Sequence, residues 1–253
     1  MKKLIIIAGP CVVENEKITM QIAEKLKMIS WKYPIDLIFK ASYRKANRTN
    51  VSAFIGIGDE AALKILAKVK QEFDVKVTTD IHAANEAEFA AGYVDILQIP
   101  AFLCRQTDIL QAAAATGKMV NIKKGQFATV HTMSAAINKI EEIQHNYGFR
   151  PYDIMITERG NMFGYDDVVI DMRNIPLLKQ LEVPVIVDVT HTNGGHYTMS
   201  YTLAKAAIAA GADGIFLETH PSPANALSDG KNMLPLDIVE NFIARLIKIR
   251  NAL

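Results

Sequence analysis

Residues 4–11 read Leu4-Ile5-Ile6-Ile7-Ala8-Gly9-Pro10-Cys11. Five uncharged apolar residues closed by Gly-Pro are too short for the hydrophobic stretch of a secretory leader, and they end in turn chemistry. A continuous apolar run, rather than an alternating one, is what a strand covered on both faces requires. The segment therefore reads as a buried first strand of a parallel sheet, with Cys11 delivered just past its end.

The same pattern recurs along the chain. Strand-like runs rich in Val and Ile follow at 36–40, 76–79, 96–99, 120–122, 154–157, 184–189 and 214–217. Helical apolar spacing fills the intervals at 16–29, 59–73, 85–91, 107–116, 132–147, 176–181 and 199–210, and again at 235–253. Gly117 and Gly211 stand where a helix should stop and turn into the next strand. Eight strand–helix units joined by right-handed crossovers predict a (β/α)8 TIM barrel. An open doubly wound sheet is the structural alternative. The Gly56-Ile57-Gly58 stretch lacks the rest of the dinucleotide fingerprint, which argues against a Rossmann domain. No linker, repeat or low-complexity segment divides 1–253, so a single catalytic domain is expected.

The bulk composition narrows the function. At 253 residues, 50% hydrophobic and 22% charged, the chain can bury one large core. A net charge of +1 offers no basic face for nucleic acid or an anionic membrane, so cations that matter must act locally. No apolar run approaches the roughly 18 residues of a membrane span. Two cysteines, Cys11 and Cys104, do not make a disulfide framework, and a cytoplasmic setting is expected.

A barrel carries its chemistry just past the C-terminal strand ends. Those positions hold Cys11, Lys40, Ser42, Asp80, His82, Gln98, Lys123, Lys124, Gln126, Glu158, Arg159, Asp188, His191, Glu218 and His220, all expected to converge on one pocket. The cations Lys40, Lys123 and Arg159 come from separate strands, and Lys45, Arg48 and Arg105 from loops. Any one lysine reads as readily as a solvated surface charge. Six cations from strand ends and loops are many for one phosphate and suit two, which points to phosphorylated substrates.

Cys11, His191, Glu218 and Asp229 offer a thiolate, an imidazole and two carboxylates, a donor set for a divalent transition metal. The four are dispersed, so spacing alone leaves a metal site and ordinary core or hydrogen-bonding roles both open. Cys104 reads as a small core residue, and His131, His145 and His196 as structural.

Phe39-Lys40-Ala41-Ser42 and Lys45-Ala46-Asn47-Arg48-Thr49 begin a specific pattern. It continues through Thr79-Asp80-Ile81-His82, Gln98-Ile99-Pro100-Ala101-Phe102-Leu103-Cys104-Arg105-Gln106-Thr107-Asp108 and Asn121-Ile122-Lys123-Lys124-Gly125-Gln126-Phe127. Glu158-Arg159-Gly160, Phe163-Gly164-Tyr165, Asp188-Val189-Thr190-His191, Glu218-Thr219-His220-Pro221 and Ala226-Leu227-Ser228-Asp229-Gly230 complete it. The chain resembles the 3-deoxy-D-manno-octulosonate 8-phosphate synthases, within the phosphoenolpyruvate-dependent aldol synthases, over nearly its whole length.

The resemblance implies a condensation of phosphoenolpyruvate with D-arabinose 5-phosphate on a (β/α)8 barrel. Relatives that take erythrose 4-phosphate carry Lys-Pro-Arg-Thr at the second loop, whereas this chain has Lys45-Ala46-Asn47-Arg48. Thr49 stands where the arabinose branch usually has Ser. By the same resemblance, Lys40, Ser42, Lys123, Gln126 and Arg159 form the phosphoenolpyruvate site, and Lys45, Asn47, Arg48 and Thr49 the pentose-phosphate site. Asp80 and His82 are candidates for proton transfer or for orienting water. Arg105 matches an arginine reaching a neighbouring subunit's site, which implies a homotetramer. The metal-independent class has Asn where this chain has Cys11, so a zinc, iron, manganese or cobalt site on Cys11, His191, Glu218 and Asp229 is implied. One departure stands out. The loop after His191 is shorter than is usual in the family, which keeps another sugar aldehyde open as substrate. A barrel that only binds sugar phosphate would have been expected to lose some of these groups.

Overall fold

The first crossover shows how the sequence builds the fold. Asn15 caps helix α1 (Glu16–Lys32) by accepting the Ile18 N–H at 2.9 Å, and Glu16 sits in the first turn. Thr19, Ile22, Ala23, Leu26 and Ile29 recur on one face and are buried. Each large aliphatic side chain on that stripe contributes about 2 kcal/mol by leaving water. Pro34 follows directly and disfavours helix at Tyr33, so the chain turns into the next strand.

The computed structural model describes residues 2–149, 153–163 and 168–253. Its core is a closed parallel barrel of β1 (Leu4–Gly9), β2 (Ile35–Lys40), β3 (Lys76–Asp80), β4 (Ile96–Ile99), β5 (Met119–Lys123), β6 (Ile154–Glu158), β7 (Val185–Asp188) and β8 (Gly214–His220). Neighbours pair in chain order, and β8 closes on β1 with Gly9 opposite Glu218. Outside lie α1, α2 (Asp59–Phe73), α3 (Ala87–Ala91), α4 (Thr107–Ala115), α5 (Val130–Asn146), α6 (Asn174–Lys179), α7 (Tyr197–Ala209) and α8 (Val239–Asn251). The expected (β/α)8 architecture is thus observed.

Strand parity decides what reaches the top of the barrel. Ile7, Ile38, Ile96, Met155, Ile186 and Phe216 form a separate apolar cluster inside it. Two residues further along, the same face carries Gly9, Lys40, Gln98, Thr157, Asp188 and Glu218. On β5, Asn121 of this interior face donates to Gln98 at 3.2 Å and accepts from Thr157 at 2.8 Å. The larger core lies between the strands and the helices.

Most expected elements shift by only a residue or two. The third helix begins as a 3-10 turn (Ala84–Glu86), and two short pieces have no counterpart in the sequence pattern. Asn161–Met162 pairs antiparallel with Val168–Val169, and two residues per strand carry no periodic signal. Leu234–Pro235 extends beside β8, so the last helix starts at Val239 and not at 235. The Leu234 carbonyl there accepts the Thr219 hydroxyl at 2.8 Å. Among the described residues no helix is long and apolar enough to cross a membrane.

Gly9 is required by close approach. A Cβ at this position would collide with the Lys40 carbonyl oxygen across the β1–β2 pairing. Gly9→Ala is expected to cost about 1–3 kcal/mol in chemical denaturation, as for overpacked cores. Wild-type stability in that variant would show that the two strands can part without penalty.

Candidate active site

Backbone pairing fixes the floor. Past β1 the chain stays paired with the residues after β2. Ser42 N donates to the Cys11 carbonyl at 3.1 Å, and Val13 N to the Ser42 carbonyl at 2.9 Å. Cys11 is thereby held, fully buried, beside Lys40. The Lys40 ammonium donates to Ser42 Oγ at 3.0 Å and the Cys11 carbonyl at 3.3 Å, and lies 3.5 Å from Glu218 and 3.6 Å from Asp80. Ser42 donates to Asp80 at 2.6 Å.

Cys11, Glu218 and Asp229 bring their ligand atoms within 4.8 Å of one another. The Cys11 sulfur lies 2.9 Å from Asp229 Oδ2 and 3.0 Å from Ser228 Oγ. Asp229 occupies the left-handed region at φ 49°, which Asp tolerates better than most residues. His191 stands at the edge of this cluster, with Nε2 3.8 Å from Glu218 Oε2. Its Nδ1 faces Asp188 at 2.8 Å. A carboxylate only accepts, so Nδ1 carries a proton toward Asp188 and fixes the ring with Nε2 on the Glu218 side. Glu218 Oε2 is buried with no hydrogen-bond partner. An orphaned carboxylate oxygen beside a thiol, an imidazole nitrogen and a second carboxylate fits a divalent transition metal.

Above the floor opens a cavity of about 560 Å3. Lys40, Lys123, Gln126 and Arg159 line it, as do Asp80, His82, His191 and Asp229. The second loop adds Lys45, Asn47, Arg48 and Thr49. Arg48 Nη2 and Arg159 Nε are buried with no hydrogen-bond partner, although Arg48 Nε donates to the Phe54 carbonyl at 3.1 Å and Arg159 Nη2 to the His191 carbonyl at 3.4 Å, so each guanidinium keeps one donor without an acceptor. The Lys45 charge also acts on the Cys11 thiol, pulling against burial, which the second-loop motif did not suggest.

Four expected members of this pocket lie elsewhere. Lys124 and Glu158 pair with each other at 3.2 Å, both fully buried on the outer face of the strands. Parity explains this, because Lys123 and Thr157 take the inner face. His220 packs against Glu14 at 3.6 Å. Arg105 is exposed and does not line the cavity. Of the motif at 163–165, Gly164 and Tyr165 fall outside the described residues.

Three residues matter more than the motifs suggest. Asp188, wholly buried, takes Lys123 at 2.6 Å and His191 at 2.8 Å, and its Oδ1 accepts the N–H groups of Thr190 and His191. Glu86 accepts the His82 N–H at 2.7 Å and bonds Tyr43 and Arg44. The Phe216 ring lies 3.8 Å beneath the Lys123 ammonium, a cation–π contact. Only Asp188, at a strand end, carries a sequence signal.

Burial and neighbouring charge set the protonation states. Burial, with Glu218 and Asp229 adding to it, pushes the Cys11 thiol up to about 12. Burial also pulls the Lys123 ammonium down, with Lys40 and Arg159 assisting and Asp188 opposing. For the carboxylates burial acts upward but loses. His191 and Lys123 hold Asp188 well below its ordinary value, and Lys40 and His82 do the same to Asp80. Glu218 is lowered by His191 and Lys40, and Asp229 falls to about 2 through Cys11 and Lys45.

These depressed carboxylates make the barrel acid-sensitive. Each contributes stability that is fully present above the unfolded carboxylate range of about 4 and is lost as pH falls through its lower folded value. The melting temperature is expected to hold from pH 7 to about 5 and then drop steeply. Asp188→Asn should melt lower at pH 7 and show a shallower acid fall. An unchanged acid profile in that variant would refute the role of the Asp188 charge.

The comparisons with known proteins agree with this geometry. The whole chain, residues 1–253, matches the DAHP synthetase I family. It is 45% identical over 263 positions to the 2-dehydro-3-deoxyphosphooctonate aldolase of Koribacter versatilis, covering 99% of this chain and 92% of that protein. Proteins of the same name from Geobacter sp. strain M21 and Citrifermentans bemidjiense are each 46% identical, over 98% and 97% of this chain and 92% and 91% of their own lengths. Coverage this complete leaves no part of the barrel outside the match, and the chain belongs to the DAHP synthetase I family, alongside the 2-dehydro-3-deoxyphosphooctonate aldolases of these bacteria.

Proposed function

We infer that the chain is a transferase joining phosphoenolpyruvate, D-arabinose 5-phosphate and water into 3-deoxy-D-manno-octulosonate 8-phosphate and phosphate. The observation that carries this is the pair of buried guanidinium donors, Arg48 Nη2 and Arg159 Nε, in the wall of one cavity without acceptors. Two guanidinium groups that each keep a donor without an acceptor suit two phosphorylated substrates. The relatives' name supports the choice of sugar. An octonate has eight carbons, the sum of three from phosphoenolpyruvate and five from a pentose. Erythrose 4-phosphate would give seven.

Lys40, Ser42, Lys123, Gln126 and Arg159 would hold phosphoenolpyruvate over the Phe216 floor. Lys45, Asn47, Arg48 and Thr49 would hold the sugar phosphate and turn its aldehyde inward. Positioning then accounts for much of the rate, since the methylene carbon must meet the aldehyde carbon. As that bond forms, the aldehyde oxygen takes a proton. Water adds to the former enol carbon, and phosphate leaves from that carbon. His82, 3.0 Å from Asp80, is placed to hold or pass the proton that this exchange requires. Cys11, His191, Glu218 and Asp229 would hold zinc, iron, manganese or cobalt, which when bound supplies Lewis acidity toward an oxygen of substrate or water. The 253 residues act as one catalytic domain in the cytoplasm. Exposed Arg105 would complete a neighbouring subunit's site in a homotetramer.

Phosphate release is expected with phosphoenolpyruvate and arabinose 5-phosphate, to fall on exhaustive chelation and to return when metal is added. Turnover confined to erythrose 4-phosphate would overturn the sugar assignment, and chelator-insensitive turnover the metal assignment. In Cys11→Asn the residual turnover is expected to become chelator-insensitive, with elemental analysis showing less bound metal. Arg159→Ala should raise KM for phosphoenolpyruvate about 10- to 100-fold, the loss of a charge-assisted hydrogen bond of roughly 2 kcal/mol. Arg48→Ala should raise KM for the sugar phosphate by a similar factor. Steady-state kinetics that fail to separate the two substrates in this way would reject the two-phosphate assignment.

A further inference from the structure

Lys124 and Glu158 are charged and wholly buried, yet neither faces the cavity. Their surroundings are built for them. The Lys124 ammonium lies 3.2 Å from Glu158 Oε1 and donates to the Gly160 carbonyl at 3.1 Å, Asn161 Oδ1 at 3.1 Å and the Gly125 carbonyl at 3.3 Å. Glu158 Oε1 accepts the Gly160 N–H at 2.6 Å, and Oε2 accepts from Asn174 at 3.2 Å. Every one of these bonds joins the loop after β5 to the loop after β6, or braces one of them.

Those two loops, with the end of β5, carry three of the residues assigned to phosphoenolpyruvate. Lys123 precedes Lys124, and Gln126 follows it by two. Arg159 lies between Glu158 and Gly160, both held by the pair. Further ties run the same way, from Met162 N to the Gln126 carbonyl at 3.1 Å and from Asn161 Nδ2 to the Ala128 carbonyl at 3.4 Å. A buried ion pair is seldom more stabilising than apolar side chains of equal volume. What it adds is direction, because an ammonium with several oxygen partners sets loop spacing in a way that an apolar contact does not.

We propose that the buried Lys124–Glu158 pair is a positioning device that sets Lys123 and Gln126 at a fixed separation from Arg159, and so shapes the site for the phosphoenolpyruvate phosphate. The proposal rests on the functional reading above. Neither residue touches substrate. Both act through the backbone of the residues beside them.

The test uses the full chain with the volume-conserving double variant Lys124→Met/Glu158→Gln. Its melting temperature, its binding of phosphoenolpyruvate by calorimetry and its KM for each substrate are compared with wild type. The double variant removes both charges, so it should melt within about 5 °C of wild type, whereas Lys124→Met alone leaves a buried carboxylate and melts lower. KM and Kd for phosphoenolpyruvate should rise at least about tenfold in the double variant, with KM for arabinose 5-phosphate within about twofold. An unchanged affinity for phosphoenolpyruvate in the folded double variant overturns the proposal. So does an equal rise in both KM values, which is what general loosening would produce. Should the double variant not fold, Asn174→Ala removes only a brace on Glu158 Oε2. It is expected to raise KM for phosphoenolpyruvate alone, about two- to fivefold, and no change there overturns the proposal. Wild type that fails to bind phosphoenolpyruvate would defeat the functional reading together with this proposal, whereas wild-type binding that the variants reproduce defeats only the proposal.

Discussion

The pairing of β8 with β1 is the constraint on which the site depends. Gly9 stands opposite Glu218, so closing the sheet places the eighth strand's carboxylate next to the loop that bears Cys11. In an open sheet those two strands would be opposite edges, and the thiol and the carboxylate would not meet. Closure also joins Lys40 of the second strand to Glu218 of the eighth, 3.5 Å apart and both buried. The same step that completes the core therefore completes the electrostatics of the floor.

Burial makes that electrostatic arrangement cooperative. Isolated charges at this depth would be costly, and each carboxylate here is kept ionised by a cation it faces. Asp188 depends on Lys123 and His191, and Asp80 on Lys40 and His82. Lys40 in turn meets Asp80, Glu218 and Ser42 at once. The floor behaves as one network, because removing any member leaves a partner buried without its counter-charge. The cavity wall differs, since Arg48 and Arg159 keep unsatisfied donors. The unpartnered atoms thus include two kinds, a carboxylate oxygen of Glu218 in the floor and guanidinium donors of Arg48 and Arg159 in the wall.

Much of this is legible in the sequence. Eight apolar runs with helical intervals specify the barrel, and the barrel specifies one face for their ends. Parity is where the motifs mislead. Counting both Lys123 and Lys124 as pocket residues ignores the rule that adjacent strand residues point opposite ways, and the same holds for Glu158 and Arg159. Glu86 and Phe216 carry no signal. Glu86 acts through a 3-10 turn and the backbone of His82, and Phe216 is indistinguishable in sequence from any other apolar strand residue. The short strand at Leu234–Pro235 is hidden by a helical pattern that begins only a few residues later.

Asp229 is the one proposed ligand that no barrel strand end carries, so its position has to be argued from the loop itself. Glu14 accepts the Leu227 N–H at 2.7 Å and stands 3.6 Å from His220, which ties the loop to the first and eighth strands. Gly230 follows, where a Cβ would collide with the Pro223 carbonyl oxygen, so the turn beside Asp229 is drawn tight against a short 3-10 turn, Pro223–Asn225. The loop after His191 joins from the other side, with Asn193 donating to the Asn232 carbonyl at 2.8 Å and to Ser200 at 3.0 Å. A longer segment there could reach over the cavity. In this chain the segment braces the loop of Asp229, and the second loop brings Asn47, Arg48 and Thr49 to the wall of the cavity.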